Sequence, residues 1–261
     1  MYLKIMPQNH QKTILIAAPG SGIGKIVTEK LVKDYFRVIG IGGKNSKEFV
    51  EILNQNDYSI DFVECDYTSE SSVIEAFNEV KILTPKIDGL IIFVGGSLIS
   101  KPIEDVSYSD FRKVLAVNLD STFLMGKEGY MWMQEQGGGN ILFFGSTTGL
   151  KPSKKKMPYG VAKAAVHNLT LSFAQEGAKH KIVTNAIAPG YVMTDRHIDE
   201  LQNKALESGD SFEDILLKIE NKNPMKQLLK PEEIYPLIKL LLTTDHIQGQ
   251  VIRIDSGQIL G

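Results

Sequence analysis

The stretch TILIAAPGSGIG, from Thr13 to Gly24, decides the fold. An apolar run, Thr13–Ala18, leads into a glycine-rich turn, and a segment with helical periodicity follows. Glycines at such a turn let the backbone approach a pyrophosphate, and the helix N-terminus offers free N–H groups to it. The stretch therefore predicts a strand, a phosphate-binding turn and a helix in that order. A tight turn without a ligand is the alternative.

The same alternation continues along the whole chain. Short apolar runs rich in Ile, Val or Phe are typical of strands buried on both faces of a parallel sheet. The predicted strands are Thr13–Ala18, Arg37–Gly42, Asp61–Cys65, Gly89–Val94, Asn140–Phe144, Val183–Ala188 and Gln250–Ile254. The predicted helices are Gly24–Tyr35, Glu70–Leu83, Tyr108–Gln136, Tyr159–Lys179 and Pro231–Leu242. This order predicts an α/β, Rossmann-type, doubly wound sheet of seven parallel strands with helices on both faces.

The length predicts one domain. A chain of 261 residues fits a single domain over residues 1–261. The glycine-rich turn predicts that this domain is dinucleotide-binding, and any catalytic residues would lie in it too. One long polar segment, Tyr191–Asn223, interrupts the alternation between the sixth strand and the last helix. Long connections at the carboxyl end of a sheet often cover a site. We expect this segment to be a substrate-binding lid, with a surface helix pair of no functional role as the alternative.

The composition of the chain argues against nucleic acid, membrane and metal ions as partners. The net charge is −2 and the pI is about 6.2, so no overall field favours nucleic acid or an anionic membrane. Cys65 is the only cysteine, and nothing around it has the spacing of zinc ligands. No apolar run approaches the ~20 residues of a membrane span, and the N-terminus lacks a secretion signal. We expect a cytoplasmic protein with no metal, nucleic acid or membrane partner.

The stretch Tyr159-Gly160-Val161-Ala162-Lys163 carries the candidate chemistry. Residues four apart on a helix share one face, so the Tyr159 hydroxyl and the Lys163 ammonium can converge. A cation close to a phenol favours phenolate and lowers the pKa of the phenol from its usual value near ~10. Ser146 lies upstream, after a predicted strand. These residues predict a proton-transfer site.

Together these motifs resemble the short-chain dehydrogenase/reductase family in its single-domain form of about 250 residues. The resemblance covers nearly the whole chain, from Thr13 to Gly261. The motifs follow the family order, as the glycine turn Ala17–Gly24, Asn118, Ser146, Tyr159 with Lys163, and Pro189-Gly190-Tyr191-Val192-Met193-Thr194.

Two motifs depart from the family pattern. Ala17 and Ala18 occupy the positions of the Thr and first Gly of TGxxxGxG, and Pro19 should push Ala18 towards an extended backbone. The NNAG motif that ends the fourth strand is replaced by Ile92-Phe93-Val94-Gly95. Both departures affect the cofactor side of the site and leave the proton-transfer residues unchanged.

The resemblance implies hydride transfer between a nicotinamide cofactor and a carbonyl or alcohol. Tyr159 would be the general acid in reduction. Lys163 would lower the pKa of Tyr159 and hold the nicotinamide ribose. Ser146 would hydrogen-bond the substrate oxygen, and Asn118 would bind a water that links Lys163 to solvent. A turn residue at Ser146 and simple helix-breaking polarity at Asn118 are the alternatives.

The resemblance also implies a set of cofactor contacts. Pro189 and Gly190 would close the nicotinamide pocket, while the Val192 backbone and the Thr194 hydroxyl would hold the carboxamide. Asp66 would meet the adenine amine, unless it only caps the next helix. The full expected set is Gly20, Ser21, Gly22, Ile23, Gly24, Lys44, Asp66, Tyr67, Gly95, Asn118, Tyr159, Lys163, Pro189, Gly190, Val192 and Thr194.

The end of the second strand favours NADP over NAD. Members of the family that prefer NAD usually carry an acidic residue there, which bonds the ribose 2′-hydroxyl. This chain has Gly42-Gly43-Lys44-Asn45 instead. No carboxylate repels a 2′-phosphate, and Lys44 could pair with it. A solvated loop lysine is the alternative, and NAD stays open as the cofactor.

The substrate is expected to be a small carbonyl or alcohol, with a 3-oxoacyl compound or another ketone favoured. Ser97 is a candidate substrate contact. Lys151, Lys154, Lys155 and Lys156 lie between Ser146 and Tyr159 and could attract an anionic or carrier-linked substrate, although such runs are usually solvated surface. The resemblance of the final strand implies a homo-oligomer, either a tetramer or a dimer.

Two other functions, enoyl reduction and non-catalytic dinucleotide binding, remain as alternatives, and a third is not expected. Enoyl reductases of the family usually space the Tyr and Lys seven residues apart, whereas the gap here is four. A non-catalytic dinucleotide sensor or scaffold would tend to lose the Tyr or the Lys, and both are present. Epimerases and dehydratases of the longer branch need a larger C-terminal domain than this chain can supply.

Overall fold

A seven-stranded parallel sheet forms the centre of the protein in the computed structural model. The structure describes residues 11–221 and 223–260. The strands are β1 (Thr13–Ala17), β2 (Arg37–Gly42), β3 (Asp61–Glu64), β4 (Gly89–Ile92), β5 (Gly139–Phe144), β6 (Ile182–Pro189) and β7 (Val251–Ile254). Their order is β3-β2-β1-β4-β5-β6-β7. The predicted fold class is confirmed, with strand ends shifted by one or two residues.

Helices cover both faces of the sheet. They are α1 (Gly22–Lys33), α2 (Lys44–Gln55), α3 (Glu70–Leu83), α4 (Tyr108–Leu115), α5 (Ser121–Gln136), α6 (Met157–Gly177), α7 (Asp195–Ser208), α8 (Phe212–Glu220) and α9 (Pro231–Thr243). One buried cluster, which includes Phe77, Trp132 and Phe143, packs on one face of the sheet. A second cluster, with Leu31, Leu142 and Ile238, packs on the other. The central strands are apolar along their length because both faces are covered.

Two helices differ from the sequence prediction. The α2 helix was not predicted, because its N-cap is Gly43, which makes no side-chain cap, and few of its residues are apolar. The predicted helix over residues 108–136 is interrupted by a π-helical turn at Ala116–Asp120, which contains Asn118. Such turns insert one extra residue into a helix and are frequent at functional sites.

The segment from Tyr191 to Asn223 forms a pair of helices, α7 and α8, beside the sheet. Residue 222 lies outside the described residues. The two helices share a small cluster of their own, Leu201, Ala205 and Ile215, which is separate from both sheet clusters. Within the described ranges, no helix is long and apolar enough to cross a membrane.

The strand order places a switch point between β1 and β4. The chain leaves β1 towards β2 on one side and later returns to β4 on the other. The connections after these two strands therefore diverge and open a crevice at the carboxyl ends, which is where ligands bind in sheets of this type.

Candidate active site

A cleft of ≈ 310 Å³ lies at this switch point. The glycine turn before α1, the ends of β4 and β5, the start of α6 and the segment after β6 all border it. Its lining residues include Ser21, Gly22, Gly95, Ser146, Tyr159, Lys163, Pro189, Gly190, Val192 and Thr194, together with Arg196 and His197. Residues predicted from five separate stretches of sequence therefore meet in one cavity.

The glycine turn has the shape of a phosphate cradle. The Ser21 hydroxyl caps α1 by accepting the Gly24 N–H at 3.1 Å. A Cβ on Gly24 would lie only 2.5 Å from the Ala18 carbonyl oxygen, so this position needs glycine. The first residues of α1, Gly22 and Ile23, line the cleft, and the N–H groups at a helix N-terminus suit an anionic diphosphate. These residues fit a dinucleotide.

The backbone at Ala18 differs from the prediction. We expected an extended conformation because proline follows, but Ala18 has φ of 63°, in the left-handed region. Its N–H donates to the Ile41 carbonyl at 3.0 Å, which ties the turn to β2. A non-glycine residue in this region costs about 1–2 kcal/mol, so the surrounding hydrogen bonds must hold the turn in place.

The adenosine end of the cleft is built from α2 and the loop after β3. Lys44 is the first residue of α2 rather than a loop residue, and its exposed Nζ lies 3.7 Å from Glu48. The Gly20 N–H donates to the Ser46 hydroxyl at 3.2 Å, so the glycine turn and α2 touch. A shallow cavity lined by Gly42, Gly43, Asp66 and Tyr67 continues from this point.

Asp66 and Tyr67 make local contacts in the structure. The Asp66 carboxylate accepts the Thr68 N–H at 2.9 Å and the Thr68 hydroxyl at 2.7 Å. These hydrogen bonds lower the pKa of Asp66. The Tyr67 hydroxyl donates to the Ile41 carbonyl at 2.7 Å, and burial raises its pKa. Tyr67 therefore supports the floor of the shallow cavity, while Asp66 stands exposed at its edge.

Asn118 fastens the loop after β4 to the π-helical turn. Its Oδ1 accepts the Gly96 N–H at 2.9 Å, and its Nδ2 donates to the Gly96 carbonyl at 3.0 Å and to the Val114 carbonyl at 2.9 Å. A Cβ on Gly95 would lie 2.5 Å from Asn118 Oδ1 and 3.1 Å from Lys163 Nζ. The Asn118 amide thus has protein partners, which the water-binding prediction did not anticipate, and it lies next to Lys163.

Ser146 lies directly after β5, where its side chain can face the cleft. Its hydroxyl oxygen accepts the Thr148 N–H at 3.1 Å. Because this contact uses an acceptor site, the hydroxyl hydrogen can still be donated to another oxygen, and the hydroxyl also interacts with Tyr159. Ser146 is 9% exposed, so that donation takes place in a site with little water.

Tyr159 and Lys163 lie on one face of α6, as the spacing predicts. The Lys163 Nζ is 5.8 Å from the centre of the Tyr159 ring. It donates to the Phe144 carbonyl at 2.8 Å. The lysine is buried, and this burial lowers its pKa to about 8. The chain therefore places an ammonium with a reduced pKa beside the phenol.

The electrostatics of Tyr159 differ from the prediction. We expected Lys163 to lower the pKa of the phenol, but the pKa of Tyr159 is raised above its usual value, mainly by burial. The Ser146 hydroxyl and the Arg196 charge oppose this rise, and Lys163 is not among the groups that do so. The buried lysine donates to the Phe144 carbonyl, and its expected effect on the pKa of the phenol stays a prediction.

His167 supports the site from behind. Its Nε2 accepts the Ser146 N–H at 3.3 Å. It lies so close to the strand end that a Cβ on Gly145 would be 2.1 Å from Nε2. Burial first, and the Lys163 charge second, lower the pKa of His167 to about 4. The ring is therefore neutral near pH 7. Sequence reasoning missed it because four residues after Lys163 nothing marks a histidine as functional.

The segment after β6 closes the other side of the cleft. The Gly190 N–H donates to the Ile254 carbonyl at 2.9 Å, and Met193 N–H donates to the Leu229 carbonyl at 2.8 Å. These bonds hold Pro189–Thr194 against the end of the sheet. The Thr194 side chain packs against Gly22, where a Cβ would be 2.7 Å from it. Thr194 is thus at the mouth of the phosphate cradle.

Three side chains that the sequence did not single out lie on this side, namely Tyr191, Arg196 and His197. His197 Nδ1 donates to the Val192 carbonyl at 2.6 Å, which leaves Nε2 as an acceptor 3.3 Å from Arg196 NH2. The His197 ring lies against Tyr191, with ring centres 4.7 Å apart. Burial lowers the pKa of His197, so this ring is also neutral. The start of a polar helix gave no sequence signal for this group.

Ser97, which follows Gly96 of the cleft lining, contacts the lysine-rich loop, although neither is itself among the lining residues. Lys156 donates from Nζ to the Ser97 hydroxyl at 2.6 Å. Lys156 is half-buried, while Lys151, Lys154 and Lys155 are exposed. Burial lowers the pKa of Lys156. One of the four predicted lysines therefore turns towards the site. Among the residues that the structure describes, no group of three His, Cys, Asp or Glu side chains could hold a metal.

Comparison with known proteins gives consistent matches. The sequence model for the short chain dehydrogenase family matches residues 12–205. A 3-oxoacyl-(acyl-carrier-protein) reductase of Aquifex aeolicus is 30% identical over 253 residues, which cover 94% of this chain and 96% of the relative. An acetoacetyl-CoA reductase of Cupriavidus necator is 31% identical over 229 residues, covering 86% and 87%. The solved structure of ElxO with NADP bound has a TM-score of 0.85 and 28% identity, covering 95% of this chain and 99% of that one.

Proposed function

The chain belongs to the short-chain dehydrogenase/reductase family, and on that premise we propose that it reduces a ketone to a secondary alcohol, with Tyr159 as the general acid. The observation that carries the proposal is the convergence of Ser146, Tyr159 and Lys163 in one cleft beside the phosphate cradle. The family is one of oxidoreductases.

The bound nicotinamide would supply the hydride, and the protein would supply the proton. Tyr159 gives its hydroxyl proton to the substrate oxygen as that oxygen gains charge. A raised pKa keeps Tyr159 protonated near pH 7, which suits a proton donor. Ser146 donates its hydroxyl hydrogen to the same oxygen and orients it.

Lys163 carries a positive charge next to this proton donor. Its pKa of about 8 leaves it mostly protonated at pH 7. The charge stabilises the phenolate that remains after Tyr159 has given up its proton. The same ammonium would bind the ribose hydroxyls of the dinucleotide. Its contact with the Phe144 carbonyl holds it at the strand end.

NADP is the proposed dinucleotide. Gly43 leaves open space, since a Cβ on it would have no atom within 4 Å. Lys44 follows at the start of α2, where its exposed ammonium can approach a 2′-phosphate. We expect a lower KM for NADPH than for NADH, and a smaller difference in Lys44→Ala. Equal kinetic constants for both dinucleotides in the unaltered protein would refute this preference.

The substrate class proposed is a 3-oxoacyl compound or a related small ketone. The support comes from two relatives, a 3-oxoacyl-(acyl-carrier-protein) reductase and an acetoacetyl-CoA reductase. The proposed contacts are Ser146, Tyr159 and Ser97. The helices α7 and α8 would act as a lid within the single domain, because Arg196 and His197 at the start of α7 line the cleft.

A homo-oligomer is also proposed, on the family resemblance of the last strand. β7 is the edge of the sheet and is only partly buried. Light scattering of the purified chain would show either a multiple of 29.0 kDa or the monomer, and a monomer would refute this point. For location we propose the cytoplasm, in line with the unpaired, buried Cys65.

The experiment is NADPH and NADH oxidation against a panel of ketones, 3-oxoacyl thioesters and quinones. Tyr159→Phe removes the proton donor and should lower kcat by about 10²–10⁴-fold. Tyr130→Phe is the matched control, because Tyr130 lies on α5 in a different cavity, and it should keep the activity. Dinucleotide binding without turnover on the whole panel would point to a sensor and would refute the proposal.

A further inference from the structure

We propose that Arg196 binds a carboxylate of the substrate, so that the ketone reduced at this site is a small oxo acid. The inference rests on the proposed function and narrows its substrate class. It is carried by the placement of a braced guanidinium inside the cleft that holds Ser146 and Tyr159.

The position of Arg196 is the first observation. It is the second residue of α7, yet it lines the same cleft as Ser146, Tyr159 and Lys163. Its NH1 lies 3.3 Å from the place where a Cβ on Gly96 would be. The side chain therefore reaches from α7 to the loop after β4 and stands beside the space that a substrate must enter.

The orientation of the guanidinium is fixed by neighbours. NH2 lies 3.3 Å from His197 Nε2, and His197 is itself held by the Val192 carbonyl. Nε lies 3.5 Å from the Glu200 carboxylate. In the described part of the chain, NH1 has no hydrogen-bond partner. Nε and NH2 are thus engaged in contacts, whereas NH1, beside Gly96 of the cleft lining, keeps its N–H groups for a ligand.

The ion pair with Glu200 does not account for this arrangement. Both side chains are more than half exposed, at 55% and 57%. An exposed pair four residues apart on a helix contributes only about 0.3–0.5 kcal/mol. If Arg196 served only as the ion-pair partner of Glu200, its guanidinium would not need to extend towards Gly96.

The charge balance of the cleft mouth favours an anion. Arg196 and Lys156 bring two positive charges, whereas Glu200 brings one negative charge. The charges of Arg196 and Glu200 both act on Lys156. His197 is neutral because burial lowers its pKa. The Arg196 charge also lowers the pKa of Tyr159, against the effect of burial. The positive charge of Arg196 therefore acts on the hydroxyl of Tyr159, the proposed proton donor.

The geometry favours a carboxylate over a carrier-linked group. A guanidinium is planar and offers donors in a fixed fork that matches a carboxylate. The cleft volume of ≈ 310 Å³ must also hold the nicotinamide, which leaves room for a small acid. The exposed lysines Lys151, Lys154 and Lys155 lie outside this lining.

The test compares one oxo acid with its methyl ester, which has the same carbon skeleton and no charge. Arg196→Gln should raise KM for the acid by about 10- to 100-fold, as the loss of a charged hydrogen bond predicts. The KM for the ester should stay within about twofold. Arg196→Lys should recover part of the effect, because the charge returns without the fork. Lys204→Gln, at an exposed lysine of the same helix α7, is the matched control and should change neither constant.

Each outcome separates this inference from the proposed function. If the unaltered protein reduces neutral ketones and the ester but not the acid, the proposed function stands and this inference is refuted. If it reduces no carbonyl compound, the proposed function itself fails. Equal losses on acid and ester in Arg196→Gln would show a structural role and refute the inference. Thermal unfolding of this half-exposed variant should match that of the unaltered protein.

Two further arms sharpen the result. Glu200→Gln removes the competing carboxylate, so KM for the acid should fall. A ketone with a phosphate ester at the same distance from the carbonyl tests the nature of the anion. A larger loss for the phosphate ester than for the acid in Arg196→Gln would refute the choice of a carboxylate.

Discussion

The two sides of the cleft are built in different ways. On one side, Ser146, Lys163 and His167 are buried and joined by hydrogen bonds to the end of β5. On the other side, Arg196 lies half-exposed on α7. The helices α7 and α8 share only a small cluster of their own.

The difference separates two tasks. Proton transfer needs groups held within a fraction of an ångström, which a buried and fully bonded wall provides. Substrate selection and release need a side that can move, and helices with few buried contacts open at low cost in free energy. The β5–α6 side therefore suits the chemistry, and the α7–α8 side suits the choice of substrate.

Identical leucine truncations in the two regions test this contrast. Leu142→Ala removes a side chain from the sheet core, where it is 1% exposed, and should cost about 2–5 kcal/mol of unfolding free energy. Leu201→Ala removes a side chain from the small cluster of α7 and α8. That site can collapse, so the global loss should stay below about 2 kcal/mol. Denaturant unfolding measures both.

Leu201→Ala, the variant with the smaller expected loss of unfolding free energy, should have the larger effect on substrate KM. In Leu201→Ala the segment that carries Arg196 is loosened, so KM for the substrate should rise, while kcat should change little. Equal losses of unfolding free energy in the two variants would show that α7 and α8 belong to the main cooperative core and would end the comparison.

Two neighbouring glycines give a finer test. A Cβ at Gly95 would press on Asn118 and Lys163, and its φ of 131° disfavours any other residue. Gly95→Ala should lower the unfolding free energy by about 1–3 kcal/mol and reduce kcat. A Cβ at Gly96 would meet only Arg196 NH1, at 3.3 Å. Because that atom ends a flexible side chain, Gly96→Ala should keep its stability.

Thermal unfolding and steady-state kinetics of Gly95→Ala and Gly96→Ala measure these differences in stability and activity. Gly95→Ala should affect kcat through Lys163, whereas Gly96→Ala should affect KM through Arg196. A stable and active Gly95→Ala variant would show that the wall is not rigidly packed at this position.

The buried His167 predicts a pH effect on stability. The folded chain protonates His167 only near pH 4, whereas the unfolded chain does so near ~6.5. The unfolded state therefore binds more protons between these values, and the unfolding free energy should fall as the pH drops from about 6.5 towards 4. In His167→Gln this part of the pH dependence should be missing.

The control for this effect is His246→Gln, at an exposed histidine. It should follow the pH profile of the unaltered protein, because this variant keeps the buried His167. Carboxylate titrations are the same in all three proteins and cancel in the comparison. A His167→Gln profile with the same slope would mean that His167 binds its proton equally in the folded and unfolded states, and would refute this prediction.

The fold could be predicted from sequence because its signals are local. Each strand is a short apolar run, and the turn before Gly24 and the Tyr159–Lys163 spacing are readable within a few residues. The α2 helix escaped prediction because Gly43 provides no side-chain cap. Its amphipathic pattern carries few apolar residues, so it reads as a loop.

The parts of the site that could not be predicted depend on distant contacts. His167 matters because α6 packs behind β5, and Arg196 matters because α7 leans towards Gly96. Neither packing is encoded in the neighbouring sequence. The pKa of Tyr159 follows the same rule, since burial by the whole fold outweighs the charges placed near the phenol.

The π-helical turn at Ala116–Asp120 has a consequence for chain length. One added residue advances a helix by about 100°, so the Asn118 amide can reach Gly96 in the loop after β4 while Met125 and Met133 stay buried against the sheet. Removing any single residue between 116 and 120 would turn the rest of α5 by a quarter of a revolution and carry the exposed Phe123 inward. Evolution and design can therefore exchange side chains in this helix more freely than they can alter its residue count.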